Sequence, residues 1–190
     1  MNWTLPNILT WLRILAIPLV ILLYYFGESE PARWFDPAAG LLFGAAAITD
    51  SLDGYLARRL GQTSALGAFL DPVADKLIVT VALVLIVKRD PDWYVALPAI
   101  VIVGREIAVS ALREWMAELG ERARVAVSGL GKYKTILQMV GLSLLLYRHD
   151  LFGLPTYRVG VWLTVVAAAL TLWSMIAYLR AAAPVLRRES

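Results

Sequence analysis

Four aspartates, Asp50, Asp53, Asp71 and Asp75, follow one another at helical spacing in the first half of the chain. Residues three or four apart lie on one face of a helix, so the four form two carboxylate pairs. We expect the two helices to be antiparallel neighbours, joined by a short polar turn at residues 61–64. Clustered carboxylates repel one another and lose hydration, and one or two divalent cations would remove most of that cost. The spacing therefore predicts a cation site.

The kind of metal follows from the ligands that the sequence offers. The chain has no cysteine and one histidine, His149, which excludes a zinc site of the usual nitrogen and sulfur type. A metal must then be held mainly by oxygen, which favours magnesium, manganese or calcium.

The composition indicates an integral membrane protein. Of 190 residues, 59% are hydrophobic, against about 45–50% in a soluble domain. No internal repeat, low-complexity segment or separate soluble domain interrupts the chain, so we predict a single all-α transmembrane domain over residues 1–190. A membrane span needs about 20 mostly apolar residues. The sequence predicts six spans, at residues 8–26, 37–56, 66–87, 93–115, 135–147 and 159–179.

The charges of the loops predict the orientation. With six spans, one side collects Arg58, Arg59, Arg122, Arg124, Lys132, Lys134, Arg180, Arg187 and Arg188. The opposite side has Arg33, Lys88, Arg89, Arg148 and Arg158. This bias places both termini and the aspartates in the cytoplasm. The net charge of +3 is explained by basic loops on an anionic membrane, so we expect no nucleic-acid binding.

Small residues accompany the aspartates. Gly54, Ala57 and Gly67 would let a bulky ligand approach the helix backbone. The alternative is that they let membrane helices pack closely.

Arg58 and Asp71 also have two explanations each. Arg58 suits a bidentate grip on a diphosphate, or it extends to the membrane interface. Asp71 could cap a helix whose first residue is Pro72. Capping would explain Asp71 but none of the other aspartates.

Written out, the pattern is D-x2-D-G-x2-A-R-x8-G-x3-D-x3-D, from Asp50 to Asp75. All eight positions resemble the motif of the CDP-alcohol phosphotransferases, membrane enzymes that join CDP-activated lipids to alcohols. Other segments are similar to the branch of that family whose acceptor is sn-glycerol 3-phosphate. They lie at residues 6–13, 104–107, 110–120, 125–128, 131–135, 138–140 and 170–175.

The resemblance implies the CDP-alcohol phosphotransferase fold, a homodimer and a place in the bacterial cytoplasmic membrane. It also implies transfer of a phosphatidyl group from CDP-diacylglycerol to an alcohol, release of CMP, and two Mg2+ or Mn2+ ions. By resemblance, Asp50, Asp53 and Asp71 hold the metal ions, and Asp75 completes the cluster and is the general base. The residues expected at the CDP moiety are Asp50, Gly54, Ala57, Arg58, Gly67 and Asn7, the last of which could instead cap the first helix.

Basic residues outside the motif are candidates for the acceptor phosphate, in the order Arg105, Lys132 and Arg113, with Lys134 as a further candidate. Arg105 lies inside the fourth predicted span, where an unpaired guanidinium is costly. An ion pair with a neighbouring glutamate would also explain it. For the two lysines the alternative is the ordinary positive charge of a cytoplasmic loop.

Two other functions stay open at this point. The same chemistry could use another acceptor, such as inositol phosphate. Intramembrane carboxylates on paired helices could also serve a cation transporter. A transporter needs a path to both membrane faces, whereas all four aspartates fall at one predicted end.

Overall fold

The computed structural model describes residues 5–29, 34–60, 65–119 and 130–189. Of residues 5–7, 51–60, 65–66, 68, 130–132, 181–182 and 184–189 it describes the backbone only. The described residues form six α-helices and no strand longer than an isolated bridge between Leu151 and Leu154, which confirms the all-helical prediction. The helices are α1 (Leu5–Ser29), α2 (Phe35–Leu60), α3 (Ala65–Arg89), α4 (Trp93–Glu118), α5 (Leu130–Tyr147) and α6 (Thr156–Glu189).

Each predicted span lies within one of these helices, and the main differences are at the ends. The fifth helix begins at Leu130, inside the basic segment that precedes the predicted span, and the sixth continues to Glu189. Within the described residues, three helices are long and apolar enough to cross a membrane, at Ile8–Ser29, Trp93–Glu118 and Thr156–Arg180. The chain therefore has the character of a membrane protein, and six crossings stay a prediction.

The core contains buried apolar side chains from all six helices, including Ala168 of α6. Val20, Phe43, Ala82, Ile102 and Leu142 are each almost completely buried and come from α1 to α5 in turn. Because lipid is as apolar as these side chains, close van der Waals packing holds membrane helices together more than the hydrophobic effect does.

The helix neighbours differ in one respect from the prediction. Helix α1 packs against both α2 and α3, whereas the described parts of α2 and α3 make little direct contact with each other. The predicted turn at residues 61–64 lies outside the described residues. Helix α5 lies in the middle of the bundle, against α2, α3 and α6.

Glycines allow α5 to approach its neighbours at backbone distance. A Cβ added at Gly40 of α2 would lie 2.6 Å from the Ser143 carbonyl oxygen of α5. A Cβ added at Gly160 of α6 would lie 2.9 Å from the Gly141 carbonyl oxygen, also on α5. A side chain at Gly40 or Gly160 would therefore collide with the backbone of α5. The close backbone packing that the two glycines allow holds α5 at a defined position between α2 and α6.

Ion pairs join the helix connections at the end of the bundle far from the aspartate motif. Arg89 Nη1 lies 2.7 Å from Asp36 Oδ1, which links the start of α2 to the end of α3. Arg148 donates to both oxygens of Asp90, at 2.5 and 3.0 Å, which links the α5–α6 connection to the α3–α4 connection. The hydrogen bonds to Asp90 raise the pKa of Arg148 further above its usual range. This bidentate pair therefore stays ionised and stabilises the bundle end.

Arg148→Ala should lower the free energy of unfolding by about 1–2 kcal/mol, because it removes a partly buried bidentate ion pair. Thermal unfolding in detergent measures the change. Arg158→Ala, at an exposed position on α6, is the matched control and should change stability by less than about 0.5 kcal/mol. Equal effects of the two variants would contradict a stabilising role for the Asp90 pair.

Candidate active site

Helix α1 contacts two of the four motif aspartates. Arg13 Nη1 lies 2.6 Å from Asp50 Oδ1 on α2. The Thr10 hydroxyl donates to Asp71 Oδ1 on α3, at 2.5 Å. Thr10 and Arg13 are three residues apart and therefore share one face of α1. Carboxylates from two different helices thus converge on that face.

The burial of Arg13 explains why its partner is an aspartate. Arg13 is 2% exposed, and a guanidinium buried in an apolar helix bundle is costly without a counter-charge. The Asp50 side chain is 36% exposed, so this carboxylate is held by a buried cation while part of it faces outward. The pair can therefore position Asp50 for a ligand.

Asp75 lies one helical turn after Asp71 and lines a cavity of about 360 Å³. Residues of α3, α4, α5 and α6 line the cavity. Besides Asp75, its charged and aromatic lining residues are Lys76, Arg105, Glu106, Arg113, Glu114, Lys134 and Tyr178. The cavity thus places a motif carboxylate beside a group of basic side chains from other helices.

Three of these cationic side chains differ in the partners that they contact. Arg105, which is 8% exposed, forms an ion pair with Glu106 at 3.0 Å. Arg113 donates to the Tyr178 hydroxyl at 3.0 Å and lies over the Tyr178 ring, 5.3 Å from its centroid. Lys134 is 6% exposed, and its ammonium group has no hydrogen-bond partner among the described residues.

The cavity carries a surplus of positive charge at its wall. Its four cationic side chains, from Lys76, Arg105, Arg113 and Lys134, face three acidic ones, from Asp75, Glu106 and Glu114. A buried ammonium group that lacks a partner is costly. An anionic ligand that accepts hydrogen bonds from Lys134 and the arginines would offset that cost. The arrangement is therefore suited to bind a phosphate group next to a carboxylate.

The structure brings several of the predicted site residues together. Asp75, Arg105, Arg113 and Lys134 line one cavity. Asp50 and Asp71 are linked through α1, and Gly67 is buried one turn before Asp71 on α3. The side chains of Asn7, Asp53, Ala57, Arg58 and Lys132 lie outside the described part of the structure, and of Gly54 only the helical backbone is described.

Two of the alternative explanations can be compared with the geometry. Helix α3 begins at Ala65, so Asp71 lies in its second turn and cannot be its N-cap. The alternative for Arg105 is observed, since Arg105 does pair with Glu106. Arg105 nevertheless also lines the cavity, so the ion pair and a ligand contact are compatible.

The chemistry of the aspartates suits a hard divalent cation, because carboxylate oxygens are the ligands that magnesium and manganese prefer. Among the described side chains, no three acidic or histidine groups lie close enough together to hold a metal ion. Asp53, the fourth carboxylate of the motif, is outside that set. The carboxylates of Asp50 and Asp71, both held by α1, provide the positioned part of such a site.

Comparison with known families decides the family. The sequence profile described as CDP-alcohol phosphatidyltransferase matches residues 3–173, which is most of the chain. The chain belongs to this family. The match includes every motif aspartate and all of the basic residues that line the cavity.

Curated relatives are similar over nearly their whole length. Proteins from Escherichia coli (strain K12) and from Shigella flexneri serotype 5b (strain 8401) are each 50% identical to the chain over 182 residues. The alignment covers 96% of this chain and 96% of each relative. Both relatives carry the name CDP-diacylglycerol–glycerol-3-phosphate 3-phosphatidyltransferase.

The sequence analysis placed none of Thr10, Arg13 and Tyr178 in the site, although all three contact predicted site residues. One signal was available for Arg13, which is a charged residue inside the first apolar segment. Threonine and tyrosine are common in membrane helices, so nothing in their spacing pointed to Asp71 or Arg113.

Thr10→Val should lower the turnover number of the protein about tenfold in a CDP-alcohol phosphatidyltransferase assay. The thermal stability of the variant should change little. The substitution keeps the side-chain shape but removes the hydrogen bond that orients Asp71, and small misplacements at a reacting centre are costly. Thr49→Val is the control, because the Thr49 hydroxyl donates to the Ala45 carbonyl of its own helix. Normal turnover of the Thr10 variant would show that this hydrogen bond does not position Asp71.

Proposed function

We propose that the chain transfers the phosphatidyl group of CDP-diacylglycerol to sn-glycerol 3-phosphate, forming phosphatidylglycerophosphate and CMP. The observation that carries the proposal is the cavity that contains Asp75 together with Arg105, Arg113 and Lys134. The name of the 50% identical relatives supports the same pair of substrates.

The acceptor is a phosphate dianion that also carries hydroxyl groups. The phosphate of the acceptor would bind to Arg105, Arg113 and Lys134, with Lys132, two residues before Lys134 on α5, as a further candidate. Arginine binds phosphate through two parallel hydrogen bonds, and lysine adds a point charge. The hydroxyl end of the acceptor would then lie toward Asp75, which lines the same cavity.

Asp75 is the proposed general base. Its carboxylate would accept the proton of the acceptor hydroxyl as the hydroxyl oxygen attacks the lipid-side phosphorus. The bond between that phosphorus and the CMP oxygen breaks, and CMP leaves. Arg58, Gly54, Ala57, Gly67 and Asn7 are the proposed contacts for the CDP moiety.

Two Mg2+ or Mn2+ ions are proposed as cofactors, held by Asp50, Asp53, Asp71 and Asp75. When bound, they would neutralise the diphosphate and the charge that develops on CMP. The contacts of Asp50 with Arg13 and of Asp71 with Thr10 support a cluster that is already positioned.

We also propose six membrane crossings, a homodimer, and both termini and the active site on the cytoplasmic side of the bacterial cytoplasmic membrane. The excess of lysine and arginine on one side of the predicted spans supports this orientation. CDP-diacylglycerol would reach the site from the cytoplasmic leaflet, beside other membrane lipids.

CMP release by the purified protein tests the proposed function. The assay contains CDP-diacylglycerol and magnesium with glycerol 3-phosphate, with inositol phosphate, or with no acceptor. We expect CMP release only with glycerol 3-phosphate. Release with inositol phosphate instead would keep the chemistry and change the acceptor, and no release with any acceptor would contradict the proposed reaction.

A cation transporter is disfavoured, because four cationic side chains line the cavity.

Asp75→Asn should abolish turnover, because an amide cannot accept the hydroxyl proton. The variant should keep much of its affinity for Mn2+, which electron paramagnetic resonance measures, because the other three aspartates are unchanged. Asp150→Asn, at an exposed position in the α5–α6 connection, is the control. Near-normal turnover of the Asp75 variant would exclude this residue as the base.

Lys134→Met should raise the KM for glycerol 3-phosphate about tenfold and change the KM for CDP-diacylglycerol much less. The change removes a charge-assisted contact to the acceptor phosphate while keeping a long side chain. Lys88→Met is a matched control, since Lys88 pairs with Glu28 at the end of α3 far from the motif. An effect confined to the lipid substrate would move Lys134 out of the acceptor site.

A further inference from the structure

Tyr178 on α6 lines the cavity that contains Asp75, although its side chain is largely buried. The Tyr178 ring packs in a small apolar cluster with Val109 and Met116 of α4. Side chains in a close-packed interior sit in one low-energy rotamer, so the hydroxyl group has a defined position. The hydroxyl therefore provides a fixed point beside the basic side chains that α4 and α5 contribute to the cavity.

Among the three acceptor-phosphate candidates with described side chains, Arg113 on α4 is the exposed one. Arg105 and Lys134 are buried, whereas Arg113 is exposed and has a long side chain with many rotamers. Tyr178 restricts that side chain through two contacts. The guanidinium donates to the Tyr178 hydroxyl at 3.0 Å, and its Cζ lies 5.3 Å from the centroid of the ring. Because an aromatic face attracts a cation, the ring and the hydroxyl together hold the guanidinium.

Tyr178 is a neutral partner, and this distinguishes Arg113 from Arg105. Arg105 forms an ion pair with Glu106, and the carboxylate offsets much of the positive charge. Among the described residues, Tyr178 is the hydrogen-bond partner of Arg113, and a neutral phenol offsets none of that charge. A guanidinium has several N–H donors, so others remain for an anion when one of them binds the hydroxyl. Arg113 is therefore held in place while its charge stays available to a ligand.

We propose that Tyr178 is a positioning residue for the acceptor phosphate, because it holds the Arg113 guanidinium in place, an inference that rests on the proposed function. A side chain that is ordered before the ligand arrives loses less conformational entropy when the complex forms. The contact should therefore strengthen the binding of glycerol 3-phosphate. The binding of CDP-diacylglycerol should depend much less on Tyr178, because the diphosphate is assigned to the aspartates and their metal ions.

A role in packing alone is the main alternative, because Tyr178 also joins α6 to α4 through Val109 and Met116. The two roles depend on different parts of the side chain. Packing depends on the ring, which phenylalanine keeps. The hydrogen bond from Arg113 depends on the hydroxyl, which phenylalanine lacks. The substitution Tyr178→Phe therefore separates the two roles.

Tyr178→Phe should raise the KM for glycerol 3-phosphate about fivefold, because it removes a hydrogen bond to a charged group. The KM for CDP-diacylglycerol and the thermal stability should change little. CMP release over a range of concentrations of each substrate gives both KM values. Tyr157→Phe is the matched control, because Arg148 lies over the Tyr157 ring at the same distance of 5.3 Å, at the opposite end of the bundle. Both KM values of this control should match those of the unmodified protein.

A double-mutant cycle tests whether Tyr178 acts through Arg113. Arg113→Met should itself raise the KM for glycerol 3-phosphate, and adding Tyr178→Phe should then have little further effect. Added to Lys134→Met, Tyr178→Phe should still raise that KM about fivefold, because the Lys134 ammonium group forms no hydrogen bond with a described residue. An undiminished effect of Tyr178→Phe in the Arg113→Met background would overturn the proposal.

Two other results with Tyr178→Phe would also overturn the proposal. The first is an unchanged KM for glycerol 3-phosphate, and the second is an equal rise in the KM of both substrates. If the unmodified protein released no CMP with glycerol 3-phosphate, the proposed function itself would fail, and the role of Tyr178 with it. That failure is seen without any variant, so it is distinguishable from a failure of the positioning role alone.

A measurement that keeps the hydroxyl avoids any folding defect of the variants. Fluorotyrosine is incorporated in place of Tyr178, and the fluorine NMR signal of the protein is followed as glycerol 3-phosphate is added without the lipid substrate. We expect a shift of the signal that saturates, and no shift with glycerol, which lacks the phosphate. An unshifted signal from protein that binds glycerol 3-phosphate would overturn the proposal.

Discussion

The ion pair between Arg13 and Asp50 is the contact on which the carboxylate site depends. Arg13 is buried among apolar helices, where a guanidinium persists only with a counter-charge. Asp50 supplies that charge from α2, and Thr10 on the same face of α1 binds Asp71 on α3. A helix outside the aspartate motif thus sets the spacing between carboxylates that belong to two other helices.

The two ends of the bundle use charge in opposite ways. At the end far from the motif, the cations Arg89 and Arg148 are matched by Asp36 and Asp90, which stabilises the helix connections. At the motif end, the cavity has more cations than acidic groups, and Lys134 has no hydrogen-bond partner among the described residues. The first arrangement is complete within the protein, whereas the second would be completed by an anion. This contrast is the physical basis for assigning the acceptor phosphate to the cavity.

The helices and part of the candidate site could be predicted from the sequence, because the relevant signals are local. Apolar runs predicted the six helices, although the fifth predicted span begins at residue 135 and α5 begins at Leu130, inside the basic segment. The basic residues Arg105, Arg113, Lys132 and Lys134 could be proposed because the family resemblance implies an acceptor that carries a phosphate dianion. Arg105 stood out further, because a charge inside an apolar span is costly. The roles of Thr10 and Tyr178 could not, since each depends on a partner more than 60 residues away in the chain. Periodicity describes the face of one helix but does not say which helix faces it.

The central claim is that the carboxylate cluster and the basic cavity form one site, with the proposed metal next to the acceptor phosphate. Phosphorus NMR of glycerol 3-phosphate bound to the protein, with Mn2+ below the protein concentration, tests it directly. The account predicts strong broadening of the phosphorus signal, and loss of the broadening in Asp71→Asn while glycerol 3-phosphate still binds. A bound acceptor whose linewidth is unaffected by protein-bound Mn2+ would contradict the account, because the phosphate would then lie far from the aspartates.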